Sequence, residues 1–391
     1  MLILKQSPND EFTIRMFVQL DNKISVPHDS IYLWSIILDK AWSSFQYNEH
    51  IEEIVYRKFL LNHITEKYVV IGIKDHLTSL HFNPWVEEQP NMVKYLSDMF
   101  TFYADKTFIL FTSLENLGSY LTNPNLRIIP WGGDITNQRF QYVSVVPVIN
   151  KNFSSDYTFL SLNRNARPNR FYLLSLLAGL NLIDRSMISC MFQQRVDGLF
   201  DLFNWQFTDS QQHIKELINA GIPKLASIKL PISDDINIYS KDNTNDNVGN
   251  FKNVLTKYYQ DTFIEIICET SYTEKCFQIT EKTQNSILGC NFPIWISSVG
   301  TVKFLRDMGL DVFDDIIDHS YDLIENPIDR MYAAITLNKE LLTDTNKVKE
   351  LWKTNKNRFL KNVIFIKVSL YEFYETRAVN KFNEIVDQEK L

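Results

Sequence analysis

The stretch that decides the fold is 262-TFIEIICETSYTEKCFQITEKTQNSILGCNFPIWISSVGTVKFL-305. It opens with 263-FIEIIC-268, which is too apolar on both faces for a half-exposed strand and predicts a buried strand of a parallel sheet. A polar loop follows, and Thr280 is the predicted N-cap of the next helix. A second strand over 294-IWI-296 and a helix that ends at Gly309 complete the pattern.

Polar residues collect at one end of this predicted sheet. Glu269 and Ser271 follow the first strand directly, and Glu281 and Lys282 stand at the start of the helix. Ligands of open α/β sheets bind at the carboxyl ends of the strands, against exposed helix N-termini. The pattern therefore predicts a ligand site at this edge of the sheet.

A second block, 158-TFLSLNRNARPNRFYLLSLLAGLNLID-184, predicts another strand, loop and helix of the same sheet. Pro168 stands near the helix start, where proline is tolerated, and the helix is apolar nearly all round, as in a buried helix. Arg164, Arg167 and Arg170 surround its N-terminus. Because the helix dipole and these side chains are both positive there, the block predicts an anion site.

The order of these pieces resembles the donor-binding signature of the α-1,3-fucosyltransferases and of phage-encoded glycosyltransferases related to them. In that family a Glu-Asn-Ser/Thr element at a strand end is followed by Tyr-(Val/Ile)-Thr-Glu-Lys, a helix and Pro-(Ile/Val) in the next strand. The matching pieces here are Glu269-Thr270-Ser271, 279-ITEK-282 and 292-FPI-294. Thr270 stands in place of the asparagine, and the spacer after it is slightly longer.

The resemblance implies an α/β protein of the GT-B class, with two Rossmann-like parallel-sheet domains facing a cleft and a C-terminal helix crossing back to the first domain. Residues 1–153 would then form an acceptor-binding domain, residues 154–360 the nucleotide-sugar (donor) domain and residues 361–391 the returning helix. The polar stretch 150–157 is the predicted linker. The resemblance covers residues 158–330 and hardly extends into the first domain.

The resemblance also implies a donor site at the carboxyl edge of the second sheet, lined by Arg170, Glu269, Ser271, Thr280, Glu281 and Lys282. Arg164 and Arg167 are additional candidate cations of this site, which the family motif does not supply. Arg170, which directly precedes Phe171-Tyr172, and Lys282 are expected to neutralise the donor diphosphate. Glu281 is expected to accept hydrogen bonds from the ribose hydroxyls. The alternative is an ordinary helix-start pair for Glu281 and Lys282, and a solvated loop for the two additional arginines.

An inverting transfer needs a catalytic base, which the first domain should supply. The carboxylate and histidine candidates at predicted strand ends are Asp75, His76, Glu115 and Asp134, of which Glu115 and Asp134 rank first. Each of them is also typical of a helix cap or a turn, and a retaining transfer requires no such base.

No metal and no cofactor besides the nucleotide-sugar co-substrate are expected. Asp234-Asp235 lies in a polar loop that recommends no metal site, and cationic helix ends make a metal on the diphosphate unnecessary. Spacing typical of metal ligands is absent from the four cysteines, which are predicted to be free and mostly buried: Cys190, Cys268, Cys276 and Cys290.

Composition places the chain among ordered two-domain proteins, since 391 residues with 45% hydrophobic content can bury a sizeable core. A net charge of -7 means that nucleic acid could bind only through a local basic surface. The N-terminal apolar run is too short for a signal peptide, and no run approaches the roughly 18 apolar residues of a membrane span. A cytoplasmic protein without a membrane partner is expected.

The first half predicts a parallel α/β sheet, because strand candidates alternate with helical segments such as residues 90–100. A strand-like start at residues 13–20 precedes an aromatic helix predicted over 30-SIYLWSIILDKAWSSF-45. The strand candidates that follow are 68-YVVIGI-73, 107-TFILFT-112, 127-RIIPW-131 and 142-YVSVVPVI-149.

Three functions remain open at this point. Because the chain resembles phage-encoded glycosyltransferases, the first candidate acceptor is hydroxymethylated cytosine in double-stranded phage DNA. The sugar would be glucose or arabinose, moved from a UDP- or GDP-sugar. The base would be flipped out, and a cationic rim from residues 347–367 and 164–170 would meet the phosphates. A surface glycan or small sugar, stacked on tryptophans of the first domain, is the second acceptor. A non-catalytic sugar-nucleotide or glycan-binding protein is the third function, and the acidic segment 311–330 would either flank the donor site or form a solvated face.

Overall fold

The computed structural model describes the chain in segments, and within them it is an α/β protein with two parallel sheets. The described residues are 31–37, 68–74, 107–112, 123–130, 143–163, 167–190, 193, 207–230, 232, 251, 255–269, 272 and 279–389. The chain divides into two compact units, one of Met1–Asn137 with Tyr371–Leu391 and the other of Gln138–Leu370.

The first unit contains a sheet whose four described strands run parallel in the order β1-β2-β3-β4. The strands are β1 (Ile31–Ile37), β2 (Tyr68–Lys74), β3 (Thr107–Thr112) and β4 (Leu126–Pro130). The strands predicted at 68–73, 107–112 and 127–131 are confirmed to within one residue at each end. Since β3 is buried where its side chains are described, its apolar run suits a parallel sheet.

The helix predicted over residues 30–45 is wrong in its first half. Ile31–Ile37 is a strand, with Ile31 opposite Tyr68 and Ile37 opposite Lys74 of β2. The run IYLWSII is apolar at every position but one, so its periodicity does not separate a helix from a buried strand. Its β-branched and aromatic side chains favour the extended form once a partner strand is present. Residues 38–45, 13–20 and 90–100 lie outside the described residues.

The strand predicted over 142–149 is also wrong where the structure describes it. Residues 145–150 have no regular structure, and Pro147 interrupts the run because it has no N–H for a sheet ladder. Val145 and Val148 are buried, and the Val148 N–H donates to the Leu288 carbonyl at 2.7 Å. The alternating valines therefore reflect a segment that packs along the second unit without joining a sheet.

The second unit contains a sheet of four described parallel strands in the order β6-β5-β7-β8. They are β5 (Phe159–Asn163), β6 (Ser186–Cys190), β7 (Ile264–Cys268) and β8 (Phe292–Ile296), and the last three are buried along their whole length. These strands confirm the sequence-based predictions in this half. The direction of the connections reverses between β5 and β7, and such a switch point opens a crevice at the carboxyl edge of a parallel sheet.

The helices of the described residues cover and extend this sheet. They are α1 (Pro168–Gly179), α2 (Gln212–Ser227), α3 (Thr256–Gln260), α4 (Glu281–Leu288), α5 (Thr301–Asp307), α6 (Pro327–Leu337), α7 (Lys339–Thr343), α8 (Thr345–Thr354), α9 (Lys356–Ile364) and α10 (Leu370–Glu389). A π-helical turn, Phe365–Ser369, joins the last two. Across the described part of the chain, none of these helices combines the length and the apolar character needed to cross a bilayer.

A buried lysine fastens the segment before β5 to the amino edge of the sheet. Lys151 Nζ donates to the carbonyls of Tyr259 at 2.6 Å, Thr262 at 3.0 Å and Gly289 at 2.6 Å, and also to the side-chain oxygen of Asn291. Burial lowers the pKa of Lys151 to about 7. These contacts favour the charged form of Lys151, because an ammonium offers three N–H donors to the surrounding oxygen atoms whereas a neutral amine offers only two.

Helix α1 is buried nearly all round, as predicted, and glycine lets it approach α2 closely. A Cβ built on Gly221 would meet the Ser175 carbonyl oxygen at 1.8 Å, and one on Gly179 would meet the Leu217 carbonyl oxygen at 2.1 Å. The two backbones are therefore in direct contact, and neither position has room for a side chain.

We expect Gly221→Ala to lower the free energy of unfolding by about 2 kcal/mol, because the added methyl group forces α1 and α2 apart. The measurement is urea-induced unfolding followed by circular dichroism. Asn219→Ala, at an exposed position of the same helix, is the matched control and should change stability by no more than about 0.5 kcal/mol. A Gly221→Ala variant as stable as the control would contradict the close contact.

Candidate functional site

The candidate site lies at the carboxyl edge of the second sheet, at the switch point between β5 and β7. Helix α1 follows β5 and begins at Pro168, and helix α4 follows β7 and begins at Glu281. Because each helix follows the carboxyl end of its strand, both N-termini are at this edge. The side-chain nitrogen of Asn169 donates to the Glu269 carbonyl at 2.7 Å, which links the start of α1 to the end of β7.

Glu269 is the centre of this edge, and its carboxylate is almost wholly buried at 1% exposure. One oxygen accepts from the Thr280 hydroxyl at 2.5 Å, and the other accepts from the Thr283 hydroxyl at 2.8 Å. Its backbone N–H donates to the Ile296 carbonyl at 3.0 Å. Glu269 was predicted to line the donor site; with both oxygens engaged within the fold, its geometry is that of a residue that positions others.

Thr280 is the N-cap of α4, as predicted: its hydroxyl oxygen accepts from the Lys282 backbone N–H at 3.3 Å. The Lys282 ammonium also donates to this hydroxyl at 3.1 Å. The same ammonium lies 3.6 Å from Glu269 Oε2 and 3.7 Å from Glu281 Oε1. Lys282 is therefore held over the first turn of α4 between a buried carboxylate and a partly exposed one.

Two arginines stand at the start of α1. Arg170 is buried at 5% exposure in the first turn, and Arg167 is the residue before the helix. Burial, and then the charge of Arg170, lower the pKa of Arg167 to about 10. Within the described part of the chain, the Arg167 guanidinium makes no hydrogen bond and no ion pair. A positive pair beside the positive end of a helix dipole makes a favourable place for an anion.

The cations of the two helix starts all act electrostatically on Cys268 at the end of β7. Burial raises the pKa of the Cys268 thiol to about 11, and the positive charges of Arg170, Lys282 and Arg167 oppose that rise. All three cations therefore act on one buried atom at the carboxyl end of the sheet. Cys190, Cys268 and Cys290 are free and buried, as predicted, whereas Cys276 lies outside the described residues.

Several predicted site residues cannot be placed. Arg164, Ser271, Glu115 and Asp134 lie outside the described residues, as do Asp75, His76 and the Asp234-Asp235 pair. Among the residues that the structure does describe, no group of histidine, cysteine, aspartate and glutamate side chains could hold a metal ion.

Glu265 is a buried acid that the sequence interpretation passed over, although it is the only charged residue in the run 263-FIEIIC-268. It lies in β7 at 2% exposure. Its Oε1 accepts from the Tyr259 hydroxyl at 3.1 Å, and its Oε2 has no hydrogen-bond partner in the structure as described. Burial raises the pKa of Glu265 to about 8, so the neutral acid predominates at pH 7.

Arg330 is a second buried charge that sequence reasoning missed. At 3% exposure it donates to the carbonyls of Ser297 at 2.9 Å and Glu325 at 3.0 Å, and also to the Tyr272 carbonyl. Ser297 follows β8, and Tyr272 belongs to the loop after β7. One guanidinium therefore holds together two of the loops that leave the carboxyl edge of the sheet.

The acidic segment 311–330 is used within the fold. Arg358 donates to Asp311 at 2.6 and 2.7 Å and to Asp315 at 2.9 and 2.8 Å. Asp322 accepts from two backbone N–H groups at the start of α5, those of Val302 at 3.0 Å and Lys303 at 2.9 Å. These three carboxylates hold α9 and α5 in place within the fold.

The basic segment 347–367 is also partly engaged. Lys347 pairs with Glu340 at 2.6 Å, Lys353 pairs with Glu350 at 2.6 Å, and Arg358 binds the two aspartates described above. Lys367 donates to the carbonyls of Val143 at 3.1 Å and Val145 at 2.6 Å. Less positive charge is therefore open to a phosphate backbone than the sequence alone indicates.

We expect Glu265→Gln to remove a pH-dependent loss of stability. The folded-state pKa of about 8 exceeds the ordinary value of 4.5, so the folded protein binds more protons between these values and wild-type stability falls as the pH rises through that window. A glutamine side chain cannot ionise. The variant should therefore gain on the order of 3 kcal/mol over wild type at pH 8 and less near pH 5. Urea unfolding at both pH values measures this; parallel pH profiles would contradict it.

We expect Glu269→Ala to destabilise the protein by about 3 kcal/mol, because it leaves the buried hydroxyl groups of Thr280 and Thr283 without their acceptor and removes a counter-charge of Lys282. Thr283→Ala removes one of those hydrogen bonds and also the bond that Thr283 accepts from Trp295 Nε1, and it should cost about 2 kcal/mol. Chemical denaturation of both variants gives the comparison. Equal losses in the two variants would show that the carboxylate does not organise this edge.

Comparison with known proteins assigns no family to this site. No protein-family model matches the chain, and no curated protein matches it. The function must therefore be inferred from the geometry of the described residues and from the motif resemblance.

Proposed function

We propose that the chain is a nucleotide-sugar-dependent glycosyltransferase of the GT-B class, which binds the donor diphosphate at the carboxyl edge of the second sheet. One observation carries the proposal. The start of α1, which carries Arg167 and Arg170, and the start of α4, which carries Lys282, both contact Glu269 at the end of β7. The Asn169 side chain of α1 donates to the Glu269 carbonyl at 2.7 Å, and the Lys282 ammonium lies 3.6 Å from the Glu269 carboxylate. An open α/β sheet binds its ligand at this switch point.

The chemistry of glycosyl transfer fits such a cluster. When the bond between the sugar and the diphosphate breaks, negative charge grows on the leaving phosphate oxygens. Fixed cations and backbone N–H groups aimed at those oxygens stabilise the transition state, because they need no reorganisation during the reaction. Arg170 is held by burial and Lys282 by its contacts with Thr280 and Glu269, so both are positioned before a donor arrives.

Glu281 is the residue proposed to hold the nucleoside. It is the first residue of α4, its side chain is 30% exposed, and a carboxylate can accept hydrogen bonds from two ribose hydroxyls. The segment 279-ITEK-282 resembles the family motif that carries this role. Glu115 and Asp134 stay the proposed candidates for the catalytic base of an inverting transfer.

The overall architecture supports the GT-B class. Two parallel α/β sheets fall in separate compact units, and Tyr371–Leu391 is grouped with the first unit although it follows the second in the chain. We propose that the first unit binds the acceptor and that the donor site belongs to the second.

The acceptor is proposed to carry a hydroxyl group, and hydroxymethylated cytosine in double-stranded DNA is the first candidate. A surface glycan or a small sugar is the second, and a specific observation favours it. Lys347, Lys353 and Arg358 are in ion pairs, which weakens the cationic rim that DNA phosphates would need.

The proposal is tested by incubating the protein with labelled UDP- and GDP-sugars, with and without DNA that contains hydroxymethylcytosine. Label in the DNA would support the first acceptor. Hydrolysis of a donor without label in DNA would exclude DNA and favour a glycan or small sugar. Absence of turnover with every donor would favour a sugar-nucleotide or glycan-binding protein that does not catalyse transfer.

We expect Lys282→Ala to lower turnover by about 100-fold, because it removes a cation from the leaving diphosphate. The fold should survive, because the buried Glu269 carboxylate keeps its hydroxyl donors from Thr280 and Thr283. Steady-state kinetics and thermal unfolding measure the two effects. Lys353→Ala, which removes an equally charged side chain from an exposed ion pair, is the control. Near-normal turnover of Lys282→Ala would refute the role of Lys282.

A further inference from the structure

We infer that Glu281 is a specificity-determining residue that lowers the affinity of the site for bare phosphate and pyrophosphate, because its carboxylate is itself a counter-ion of the anion-binding cations. The inference rests on the proposed donor site and adds to it a reason why one ligand class is preferred. It concerns binding and includes no chemical step.

The position of Glu281 between the two helix starts carries this inference. Its Oε1 lies 3.7 Å from the ammonium of Lys282, which belongs to α4. Its negative charge also acts on Arg167, which precedes α1, and opposes the lowering of that arginine's pKa. Glu281 is therefore an ion-pair partner of Lys282 and also acts electrostatically on Arg167, so its charge opposes a cation from each helix start, where the phosphates of a ligand are proposed to lie.

The two carboxylates near Lys282 differ in what they can do. Glu269 is 1% exposed and both of its oxygens accept hydrogen bonds from hydroxyls within the fold, so it is fixed in place. Glu281 is 30% exposed and stands at the first position of its helix, where solvent and a ligand can reach it. Only Glu281 can exchange its partner when an anion enters.

The energetic consequence has a definite sign. A bare anion must either displace Glu281 from the cations or lie beside a like charge, and both lower its affinity. A partly exposed ion pair contributes about 0.5–1 kcal/mol, so the handicap on affinity is a factor of roughly 2 to 5. A ligand that brings hydroxyl donors beside its phosphates offsets this, because Glu281 can accept hydrogen bonds from those hydroxyls.

Isothermal titration calorimetry tests the inference with inorganic pyrophosphate as the bare anion and with UDP and GDP as ligands that carry ribose hydroxyls. Glu281→Gln should bind pyrophosphate about 2- to 5-fold more tightly than wild type, because the opposing charge is gone. It should bind the nucleoside diphosphate that wild type prefers no more tightly than wild type does. The preference for nucleoside over bare diphosphate therefore falls.

Glu350→Gln is the matched control, because it makes the same change of net charge at an exposed helix position where Glu350 pairs with Lys353. It should leave both affinities unchanged, which separates the local effect of Glu281 from a general gain of positive charge. Circular dichroism should show the same thermal midpoint for both variants to within a few degrees, since one helix-start charge contributes about 0.5 kcal/mol.

Pyrophosphate affinity that is unchanged or weaker in Glu281→Gln, or absent from wild type and variant alike, would overturn the inference. Its failure can be told from failure of the proposed function. Sugar transfer by wild type with unchanged pyrophosphate binding in the variant sinks the inference alone. Tighter pyrophosphate binding in the variant, without transfer from any donor, upholds the inference and sinks the transferase.

Discussion

The carboxyl edge of the second sheet depends on one buried negative charge. A carboxylate at 1% exposure is tolerated only when donors surround it, and Glu269 obtains them from Thr280 and Thr283 at the start of α4. Its carbonyl meanwhile receives the Asn169 side chain from the start of α1. The hydrogen bonds made by this one residue thus hold two helix N-termini at the end of one strand. Lys282, the second residue of α4, consequently lies beside the Glu269 carboxylate.

Differences in burial give three glutamates of β7, its end and α4 different roles. Glu265, within β7, is driven toward its neutral form, whereas Glu269 at the strand end stays in contact with a cation, and Glu281 is open to solvent. The buried cations Lys151 and Arg330 likewise have a structural role. Lys151 at the amino edge and Arg330 at the carboxyl edge donate mainly to backbone carbonyls, and so they hold loops in place.

The sequence predicted those features that depend on local chemistry. The run 263-FIEIIC-268, the Thr280 cap and Pro168 at a helix start carry their signals within a few residues, and the structure confirms all three. The predictions at 30–45 and 142–149 were wrong because they depend on contacts between distant parts of the chain. At 31–37 the apolar run forms a strand because β2 lies beside it. At 145–150 the chain is irregular, with Pro147 in the run and the Val148 N–H bonded to Leu288. The engagement of Glu269 within the fold could not be foreseen, since it depends on residues contributed by three elements.

The charges at the start of α1 are unusual for a helix N-terminus. A helix N-terminus carries partial positive charge, so acidic side chains in the first turn stabilise it and basic ones destabilise it by a few tenths of a kcal/mol to about 1 kcal/mol. Helix α1 has no acidic residue in its first turn and carries Arg170 there, with Arg167 just before it. In α4 the charge of Lys282 is offset by Glu281 in the same turn and by Glu269. The cost therefore falls on α1, and an anion bound at its N-terminus would reverse the sign of that cost, which supports the proposed ligand site.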